Sequence, residues 1–210
     1  MEEIYNKLTE YLLEWNEKIN ITAIREFDEF MELNVKDSLS LVGRPEIEGA
    51  KKVLDMGTGG GMPGLPLAIA YPDKEFVLVD SVDKKLKVVA DVAARLGLKN
   101  VTTVHTRAED FVSRETFDLV VSRAVANMST LSEYCLPFVK VGGYFVAYKA
   151  FSQEEEILTA KIAIEKLGGG ELQIVDDGAN NGHCFAIVKK ISPTQKKYPR
   201  KAGLPRKQPL

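Results

Sequence analysis

The sequence has few of the residues that build disulfide frameworks, metal centres and histidine-based catalytic sites. Its 210 residues include only two cysteines and two histidines. Cys135 and Cys184 stand in apolar segments without metal-ligand spacing, which predicts free, buried thiols in a reducing compartment. His105 belongs to a predicted buried strand and His183 begins a late strand, so we expect structural roles for both. These shortages argue against a disulfide-stabilised fold and against a bound metal.

Long apolar runs are also absent from the chain. No segment approaches the roughly 20 apolar residues that a membrane-spanning helix needs. The N-terminal segment MEEIYNKLTEYLLEWNEK is acidic and amphipathic, and it lacks the basic start and apolar centre of a signal peptide. We therefore expect a cytoplasmic protein that does not enter a membrane. A chain of 210 residues with 45% hydrophobic content suits one compact domain with a small additional element.

The C-terminal segment 192–210, SPTQKKYPRKAGLPRKQPL, has no acidic residue. Its six basic residues are Lys196, Lys197, Arg200, Lys201, Arg206 and Lys207. Because the whole chain has a formal charge of −2, residues 1–191 carry about −8. A cationic end on an acidic body suggests a polyanionic partner. A solvated, disordered terminus would have the same composition, and charge alone does not choose between the two.

Two helices are predicted in the N-terminal part of the chain. Between residues 3 and 19, apolar side chains recur every three or four positions, which is typical of one face of an amphipathic helix. These side chains are Ile4, Leu8, Leu12, Trp15 and Ile19. A similar period from about Glu26 to Val42 predicts a second helix, which ends before Gly43 and Pro45.

From residue 51 onward, short β-rich segments alternate with helical ones. The strands read KKVLDM, KEFVLVD, NVTTVHT, FDLVVSR and GYFVAYK, with GLPLAIAY, DKKLKVVADVAARLG, AEDF and MSTLSEYCLPFVK between them. This alternation predicts parallel βαβ units with right-handed crossovers. EEEILTAKIAIEKLGGG then predicts a helix with a glycine stop, and ELQIVDD with HCFAIVKK predicts an antiparallel pair.

The predicted fold class is therefore α/β: a Rossmann-like, mostly parallel, doubly wound sheet with an antiparallel edge and an N-terminal helical extension. The predicted division is a helical extension over 1–45, the Rossmann-like domain over 46–191 and a basic tail over 192–210. Open α/β sheets bind ligands at the carboxyl ends of their strands, where the strand order reverses. Candidate binding residues are expected at those strand ends.

The segment VLDMGTGGGMPGLPLAIA at 53–70 joins a predicted strand to a predicted helix through a glycine-rich turn. Glycine permits positive φ angles and lets a ligand approach the backbone. The pattern is Asp55-x-Gly57-x-Gly59-x-Gly61, which differs from the G-x-G-x-x-G of dinucleotide-binding proteins. A carboxylate at Asp55 would repel a pyrophosphate but suits the ammonium group of S-adenosylmethionine. A purely structural turn stays open as the alternative.

Two further strand ends carry acidic residues. KEFVLVD ends in Asp80, where a carboxylate can accept hydrogen bonds from both hydroxyls of a ribose. The loop after NVTTVHT contains Ala108, Glu109 and Asp110, and its backbone amides and acids suit the edge of an adenine. Each acid alone is compatible with a helix cap or a solvated surface group. Together with the glycine turn, they favour an adenosyl cofactor.

Several motifs extend along nearly the whole chain. They are WNEKINITAI at 15–24, VKDSLS at 35–40, LDMGTGGGMPGLPLAI at 54–69, LVDSVDKK at 78–85, TRAED at 106–110, SRAVA at 122–126 and KKYPRKAGLP at 196–205. With these motifs the sequence resembles the glucose-inhibited division protein B family, the RsmG methyltransferases. The glycine string is common to many methyltransferases, whereas SRAVA and KYPRKAG are distinctive. Asn34 departs from the family pattern, which often has histidine there, and this weakens a catalytic role for that position.

The resemblance implies a class I S-adenosylmethionine-dependent methyltransferase that methylates N7 of a guanine in bacterial 16S ribosomal RNA. The resemblance also implies the cofactor-binding residues Gly57, Met62, Asp80, Ser81, Val82, Ala108, Glu109 and Arg123. The glycine string adds Gly59 and Gly61 to these candidates. The Arg123 guanidinium would bind either the methionine carboxylate or an RNA phosphate. Guanine N7 has an in-plane lone pair and no proton, so positioning is the main task and no general base is predicted.

The target guanine must be unstacked or flipped to enter a pocket, and basic side chains would bind the phosphates with steep salt dependence. The predicted RNA-binding residues are Asn16, Lys18, Lys149, Lys196, Lys197, Tyr198, Arg200 and Lys201, with Arg206 and Lys207 as further candidates. Tyr198 could stack on a base, whereas Trp15 falls on the apolar helix face and is assigned to the core. The expected partner is 16S ribosomal RNA or the small ribosomal subunit, and a monomer is compatible with the sequence.

Other functions stay open from the sequence. A methyltransferase of this kind could act on another RNA, a protein or a small molecule, although the basic tail argues against a small molecule or a protein. A non-catalytic RNA-binding or nucleotide-binding module would not need S-adenosylmethionine. A nicotinamide-dependent dehydrogenase is disfavoured by the Asp55-x-Gly57-x-Gly59-x-Gly61 pattern and by the lack of a hydride-transfer partner.

Overall fold

The computed structural model describes residues 2–123, 126–178 and 182–210. Ala124 and Val125 of the SRAVA motif lie outside the described residues. The first helix, α1 (Glu2–Asn16), buries Leu8 and Leu12 on its apolar face. The indole Nε1 of Trp15, at the end of that face, donates a hydrogen bond of 2.7 Å to Asp91.

A second helical segment runs from 27 to 39 in three continuous parts. They are α2 (Phe27–Phe30), a π-helical turn (Met31–Lys36) and α3 (Asp37–Leu39), and the short helix α4 (Pro45–Glu48) follows. The helix predicted from Glu26 to Val42 therefore exists but ends earlier. Its wider π-helical turn was not predicted, and such turns are frequent at functional sites.

The described residues form a seven-stranded sheet with the order β3-β2-β1-β4-β5-β7-β6. The strands are β1 (Lys52–Met56), β2 (Glu75–Asp80), β3 (Val101–His105), β4 (Phe117–Arg123), β5 (Val139–Ala150), β6 (Gly169–Asp176) and β7 (His183–Lys190). Strands β1 to β5 pair in parallel, whereas β7 pairs antiparallel with β5 and β6. The predicted doubly wound sheet with an antiparallel edge is confirmed.

The remaining helices connect these strands or follow them. They are α5 (Gly64–Ala70), α6 (Asp83–Arg95), α7 (Met128–Cys135), α8 (Glu154–Thr159), α9 (Lys161–Lys166) and α10 (Leu204–Lys207), with a 3₁₀ turn at Ala108–Asp110. The helix predicted over 128–140 ends early, because Pro137 lacks an amide hydrogen and β5 already begins at Val139. The helix predicted over 154–170 is divided between α8 and α9, and its last glycines begin β6.

Apolar side chains pack on both faces of the sheet. One cluster joins α1, α5 and α6 to the sheet and includes Leu8, Leu65 and Val89. The other joins α7 and α9 to the opposite face and includes Leu131 and Ile164. This arrangement explains why the parallel strands read as nearly continuous apolar runs.

The predicted burial of the cysteines is confirmed, whereas the predicted burial of His105 is not. Cys135 and Cys184 are free and buried, as predicted. The expectation of a buried His105 is wrong, because β3 is an edge strand and the side chain is 54% exposed. His183 is partly exposed at the start of β7 and contacts Asp37 at 2.6 Å.

The C-terminal tail, residues 192–210, is folded against the domain and is not the solvated, disordered end that its composition also allowed. Tyr198 is only 7% exposed and belongs to the second apolar cluster. Arg114 donates hydrogen bonds to the carbonyl groups of Thr194 and Tyr198. The boundaries at 45/46 and 191/192 stay predictions. Within the described residues, no helix has both the length and the apolar composition to cross a membrane.

Candidate functional site

A cleft of about 680 Å³ opens beside the carboxyl ends of β1, β2 and β4. The strand order reverses between β1 and β4, which is the position where open α/β sheets bind ligands. The predicted cofactor residues that line this cleft are Gly57, Gly59, Met62, Asp80, Ser81, Ala108, Glu109 and Arg123. Gly61 and Val82 are not among its lining residues. That these residues bind a cofactor stays a prediction.

The glycine turn after β1 combines an open surface with close packing. Gly59 has a φ angle of 57°, and a Cβ added there would meet no atom within 4 Å. A Cβ on Gly60 would lie 2.4 Å from Ile21 Cγ2, and one on Gly61 would lie 2.5 Å from Leu65 Cδ1. Gly59 therefore leaves the cleft open, whereas Gly60 and Gly61 allow neighbouring segments to approach the turn.

Asp80 joins the end of β2 to the glycine turn. Its Oδ2 accepts a hydrogen bond of 2.8 Å from the Gly59 amide, and its Oδ1 accepts one of 2.8 Å from the Val82 amide. These two bonds orient the carboxylate beside the cleft that it lines. Val82 itself is 44% exposed, so its amide, rather than its side chain, supports the site.

Asp55 lies beneath the glycine turn and is fully buried. Its Oδ2 accepts hydrogen bonds from Thr58 Oγ1 at 2.6 Å and from the Gly64 amide at 2.9 Å. Burial raises the pKa of this carboxyl to about 6. The expectation that Asp55 contacts the ammonium group of a ligand is corrected, because Asp55 does not line the cleft and orders the turn below it.

Glu109 joins the C-terminal tail to the cleft wall. Its Oε1 accepts a hydrogen bond of 2.9 Å from the Gly203 amide, and both Gly203 and Arg206 line the cleft. Tyr134 on α7 also interacts with Glu109; burial and this carboxylate raise the pKa of the Tyr134 hydroxyl to about 12. The tail is therefore part of the cleft, which the sequence did not indicate.

Arg123, the last residue of β4, is held by the 27–39 segment. Its Nη1 donates to the Leu33 carbonyl at 3.1 Å and to Asp37 Oδ2 at 2.9 Å. Its Nη2 donates to Asn34 Oδ1 at 2.6 Å. The π-helical turn thus carries Asn34 and ends next to Asp37, so that both side chains reach the same guanidinium.

The predicted RNA-binding residues fall into two groups. Lys18, Lys196, Lys197 and Lys201 are exposed, and their role in RNA binding stays a prediction. Lys18 also forms an exposed ion pair with Glu14 at 3.4 Å. Side chains of this kind are available to phosphate groups, because exposed ion pairs contribute little and exchange readily with other partners.

The other group has structural contacts instead. Asn16 is 3% exposed, and its side chain accepts hydrogen bonds from the amides of residues 21 and 22 and donates to the carbonyls of residues 22 and 24. Lys149 contacts Glu156 at 3.1 Å with a side chain that is 6% exposed. Tyr198 is buried. The fold already uses the polar or aromatic groups of these side chains, and their role in RNA binding stays a prediction.

Arg200 belongs to this second group as well. It forms an ion pair of 2.6 Å with Glu133, whose side chain is fully buried in α7. Its Nε donates to both carboxylate oxygens at 2.9 and 3.1 Å, and its Nη2 also donates to the Gln208 carbonyl at 2.8 Å. Arg200 therefore fastens the tail to the domain.

Several residues that were not predicted to bind the cofactor also line the cleft. They are Ile21, Thr22, Phe30, Asn34, Lys85, Arg107, Tyr134, Gly203 and Arg206. Arg107 directly follows a predicted strand end, and that position was a usable signal. The others come from segments outside the sheet, whose placement depends on tertiary contacts.

A group of possible metal ligands lies next to this region. Within the described residues, one ligand atom each from Asp37, Asp177 and His183 lies within 4.8 Å of the others. Asp37 already contacts both Arg123 and His183, so its oxygens are occupied by hydrogen-bond donors. The absence of a bound metal stays a prediction.

Comparison with known sequences gives consistent matches along the chain. A sequence profile of the GidB family, described as rRNA small subunit methyltransferase G, matches residues 1–185. A ribosomal RNA small subunit methyltransferase G from Clostridium perfringens (strain 13 / Type A) is 46% identical over 219 residues, covering 100% of this chain and 92% of the relative. The protein of the same name from Clostridium novyi (strain NT) is 45% identical, with 98% and 89% covered.

Comparison with solved structures supports the predicted Rossmann-like fold. The crystal structure of the S-adenosylmethionine-dependent methyltransferase SibL in its apo form matches with a TM-score of 0.64 and 16% sequence identity. The match covers 82% of this chain, which spans 60% of that protein. At this identity the likeness concerns the fold alone, and it confirms the predicted Rossmann-like methyltransferase architecture.

Proposed function

The chain belongs to the GidB family, rRNA small subunit methyltransferase G, and from this membership we propose that it methylates N7 of a guanine in 16S ribosomal RNA with S-adenosylmethionine. The observation that carries the proposal is the cleft at the strand-order reversal, lined by the glycine turn and Asp80. The expected place of action is the cytoplasm, and the acceptor is free 16S ribosomal RNA or the small ribosomal subunit.

The residues of the cleft fit an adenosyl group at one end. The Asp80 carboxylate is oriented by two backbone amides, and each of its oxygens keeps a lone pair that can accept from a ribose hydroxyl. Gly59 leaves the adjacent space free of side-chain atoms. Ala108 and Met62 add apolar surface to the walls, which suits an uncharged purine.

When bound, S-adenosylmethionine supplies a methyl group on a positively charged sulfur. The task of the protein is to hold guanine N7 in line with that carbon and to exclude water. No residue has to remove a proton, because N7 has none. Within the described residues, the lining of the cleft includes neither histidine nor cysteine, and the proposed reaction requires neither.

Basic side chains at the cleft supply the second requirement, which is to attract a polyanion. Lys85, Arg107, Arg123 and Arg206 line the cleft, and Lys196, Lys197 and Lys201 are exposed on the tail. We expect the exposed lysines to bind phosphates of the RNA, with an affinity that falls steeply as the salt concentration rises. This arrangement favours an RNA acceptor over a small molecule.

The test is a methylation assay with the purified protein. Small-subunit RNA and small ribosomal subunits from cells that lack this gene are incubated with methyl-labelled S-adenosylmethionine, and nucleosides are identified by mass spectrometry. We expect 7-methylguanosine, at a single position located by chemical cleavage at that base. Asp80→Ala is the matched variant, and its loss of a ribose acceptor should weaken cofactor binding in calorimetry.

Other outcomes of this assay would identify the alternatives. Binding of S-adenosylmethionine without 7-methylguanosine in the RNA would contradict the proposed acceptor and leave another RNA, a protein or a small molecule. Absence of S-adenosylmethionine binding by the wild-type protein would instead support a non-catalytic module. An unchanged cofactor affinity in Asp80→Ala would remove the ribose assignment alone.

A further inference from the structure

The guanidinium of Arg123 has donors that the protein does not use. An arginine side chain carries five N–H groups, and the three described hydrogen bonds occupy both on Nη1 and one on Nη2. Among the described residues, no acceptor contacts Nε. The remaining N–H groups, on Nε and Nη2, belong to a guanidinium that lines the cleft and is 19% exposed.

The acceptors that hold Arg123 come mainly from the 27–39 segment. Leu33 and Asn34 belong to the π-helical turn, and Asp37 begins α3 directly after it. The Asp37 side chain is 5% exposed, and its second oxygen lies 2.6 Å from His183 Nδ1 on β7. A buried carboxylate with a donor on each oxygen has little freedom to move, so the guanidinium that it holds is restrained as well.

We propose that Asp37, held by His183, is a positioning residue that orients the free N–H edge of Arg123 toward an anionic group in the cleft. The proposal rests on the proposed function, which supplies two anions of suitable chemistry. One is the carboxylate of the methionine part of the cofactor, and the other is a phosphate of the RNA. Planar, bidentate recognition of either group requires a guanidinium of defined orientation.

A purely structural role for Asp37 predicts a different effect of its replacement on the free energy of ligand binding. If Asp37 only stabilised the fold, its replacement would weaken binding to a similar extent whether or not Arg123 were present. If Asp37 acts through Arg123, the two replacements are coupled and their effects do not add. A double-mutant cycle on ligand affinity therefore distinguishes the two roles.

The cycle uses the full-length protein with the variants Asp37→Asn, Arg123→Ala and both together. Calorimetry measures the affinity for S-adenosylmethionine and for 5′-methylthioadenosine, which lacks the carboxylate, and filter binding measures the affinity for a 16S RNA fragment. We expect Asp37→Asn to weaken binding of the anionic ligand about tenfold. In the Arg123→Ala background, the same change should have almost no further effect.

Asp118→Asn is the matched control. Asp118 also accepts from two backbone amides and pairs with Lys140 at 2.9 Å, but it stands at the opposite end of β4. Its replacement should leave both affinities unchanged. If Asp37→Asn does not fold, the cycle is measured between His183→Ala and Arg123→Lys, because His183 is 39% exposed and the lysine keeps a positive charge beside the buried Asp37 carboxylate while losing the planar guanidinium.

The measurements with different ligands distinguish the two possible anionic groups, the methionine carboxylate and an RNA phosphate. A loss for S-adenosylmethionine but not for 5′-methylthioadenosine identifies the carboxylate, and a loss confined to RNA identifies a phosphate; either supports the positioning role. Additive losses, or no loss with either ligand, overturn it. A wild-type protein that binds RNA but no S-adenosylmethionine would contradict the proposed function, and the RNA arm would still decide the role of Asp37.

Discussion

Two segments outside the sheet complete the cleft, and each is held to the domain by an arginine–carboxylate pair. The 27–39 segment supplies Asp37 to Arg123 of β4, with 2.9 Å between Nη1 and Oδ2. The C-terminal tail supplies Arg200 to Glu133 of α7, with 2.6 Å between Nη2 and Oε2. In the first pair the added segment carries the acid, and in the second it carries the base.

The two pairs differ in what the arginine can still bind. Arg200 directs Nε and Nη2 toward Glu133 and the Gln208 carbonyl, and it is not among the residues that line the cleft. Arg123 lines the cleft and keeps N–H groups without a described acceptor. Both arginines keep N–H groups without a described acceptor, since no described hydrogen bond uses Nη1 of Arg200. Position at the cleft, rather than charge or the number of unused donors, therefore distinguishes the arginine that can meet a ligand.

The largest effect is expected from a substitution that breaks the Arg200–Glu133 pair of the tail. Arg200→Ala leaves the fully buried Glu133 carboxylate without its counter-charge, and we expect a loss of about 4 kcal/mol in the free energy of unfolding. Urea denaturation measures this loss. Lys201→Ala is the matched control, because Lys201 is exposed and its removal should change stability by less than about 0.5 kcal/mol. Equal stabilities of the two variants would contradict the structural role of Arg200.

A third buried carboxylate, Asp55, differs from Asp37 and Glu133 because no arginine is in hydrogen-bond contact with it. Burial raises its pKa from 3.8 to about 6, which corresponds to about 3 kcal/mol. Since the folded-state pKa lies above the unfolded value, this contribution to stability is complete below pH 3.8 and is lost as the pH rises through about 6.

Asp55→Asn should therefore remove a pH dependence rather than create one. The asparagine keeps an oxygen for Thr58 and Gly64 but does not ionise, so the stability of the wild type relative to the variant should fall by about 2 kcal/mol between pH 4 and 7. Denaturation of both proteins across this pH range measures the difference in their free energies of unfolding. The contributions of the other carboxylates cancel in this difference, because both proteins contain them. A constant difference would show that Asp55 titrates normally.

The two regions also show what the sequence could and could not predict. The sheet and the position of Asp80 were predictable, because apolar runs and strand ends are local signals that parallel pairing brings to one edge. The partners of Arg200 and Arg123 were not, because Glu133 and Asp37 are 67 and 86 positions away. Composition described the tail as a cationic surface, whereas one buried acid makes its arginine structural.

Two other differences have similar causes. The amphipathic period predicted the helix after Glu26, but the π-helical turn depends on tertiary contacts of the residues it carries, such as Asn34 with Arg123. His105 was expected to be buried because its strand is apolar, yet strand order places β3 at the sheet edge. Burial on a sheet depends on neighbours that a single strand does not encode.

Asn16 resembles Arg200 in being a predicted RNA-binding residue whose side chain has structural contacts. Its side chain makes four hydrogen bonds with the backbone of residues 21, 22 and 24, and this loop reaches the cleft through Ile21 and Thr22. Asn16→Ala leaves backbone groups without partners, and we expect a loss of about 2 kcal/mol in stability. A loss of RNA affinity without a loss of stability would support the predicted RNA-binding assignment.

The exposed lysines of the tail test whether this segment also meets the substrate. Charge reversal of Lys196, Lys197 and Lys201 should weaken binding of a 16S RNA fragment about tenfold and reduce the salt dependence, because phosphate contacts release counterions. Cofactor affinity should be unchanged, since none of the three lines the cleft. Filter binding at several salt concentrations measures both quantities. An unchanged salt dependence would leave the tail with its structural role alone.

The smallest expected effect concerns Lys18 in the N-terminal extension, which is exposed and pairs with Glu14 at 3.4 Å. Lys18→Ala should change the free energy of unfolding by less than about 0.5 kcal/mol, because exposed ion pairs contribute little. Any phosphate contact that it makes should appear only as a small loss of RNA affinity at low salt. Glu14→Ala is the control, because it removes the same pair, together with the 2.8 Å pair of Glu14 with Arg95, but no positive charge. If both variants bind RNA as well as the wild type does, Lys18 is not part of the RNA-binding surface.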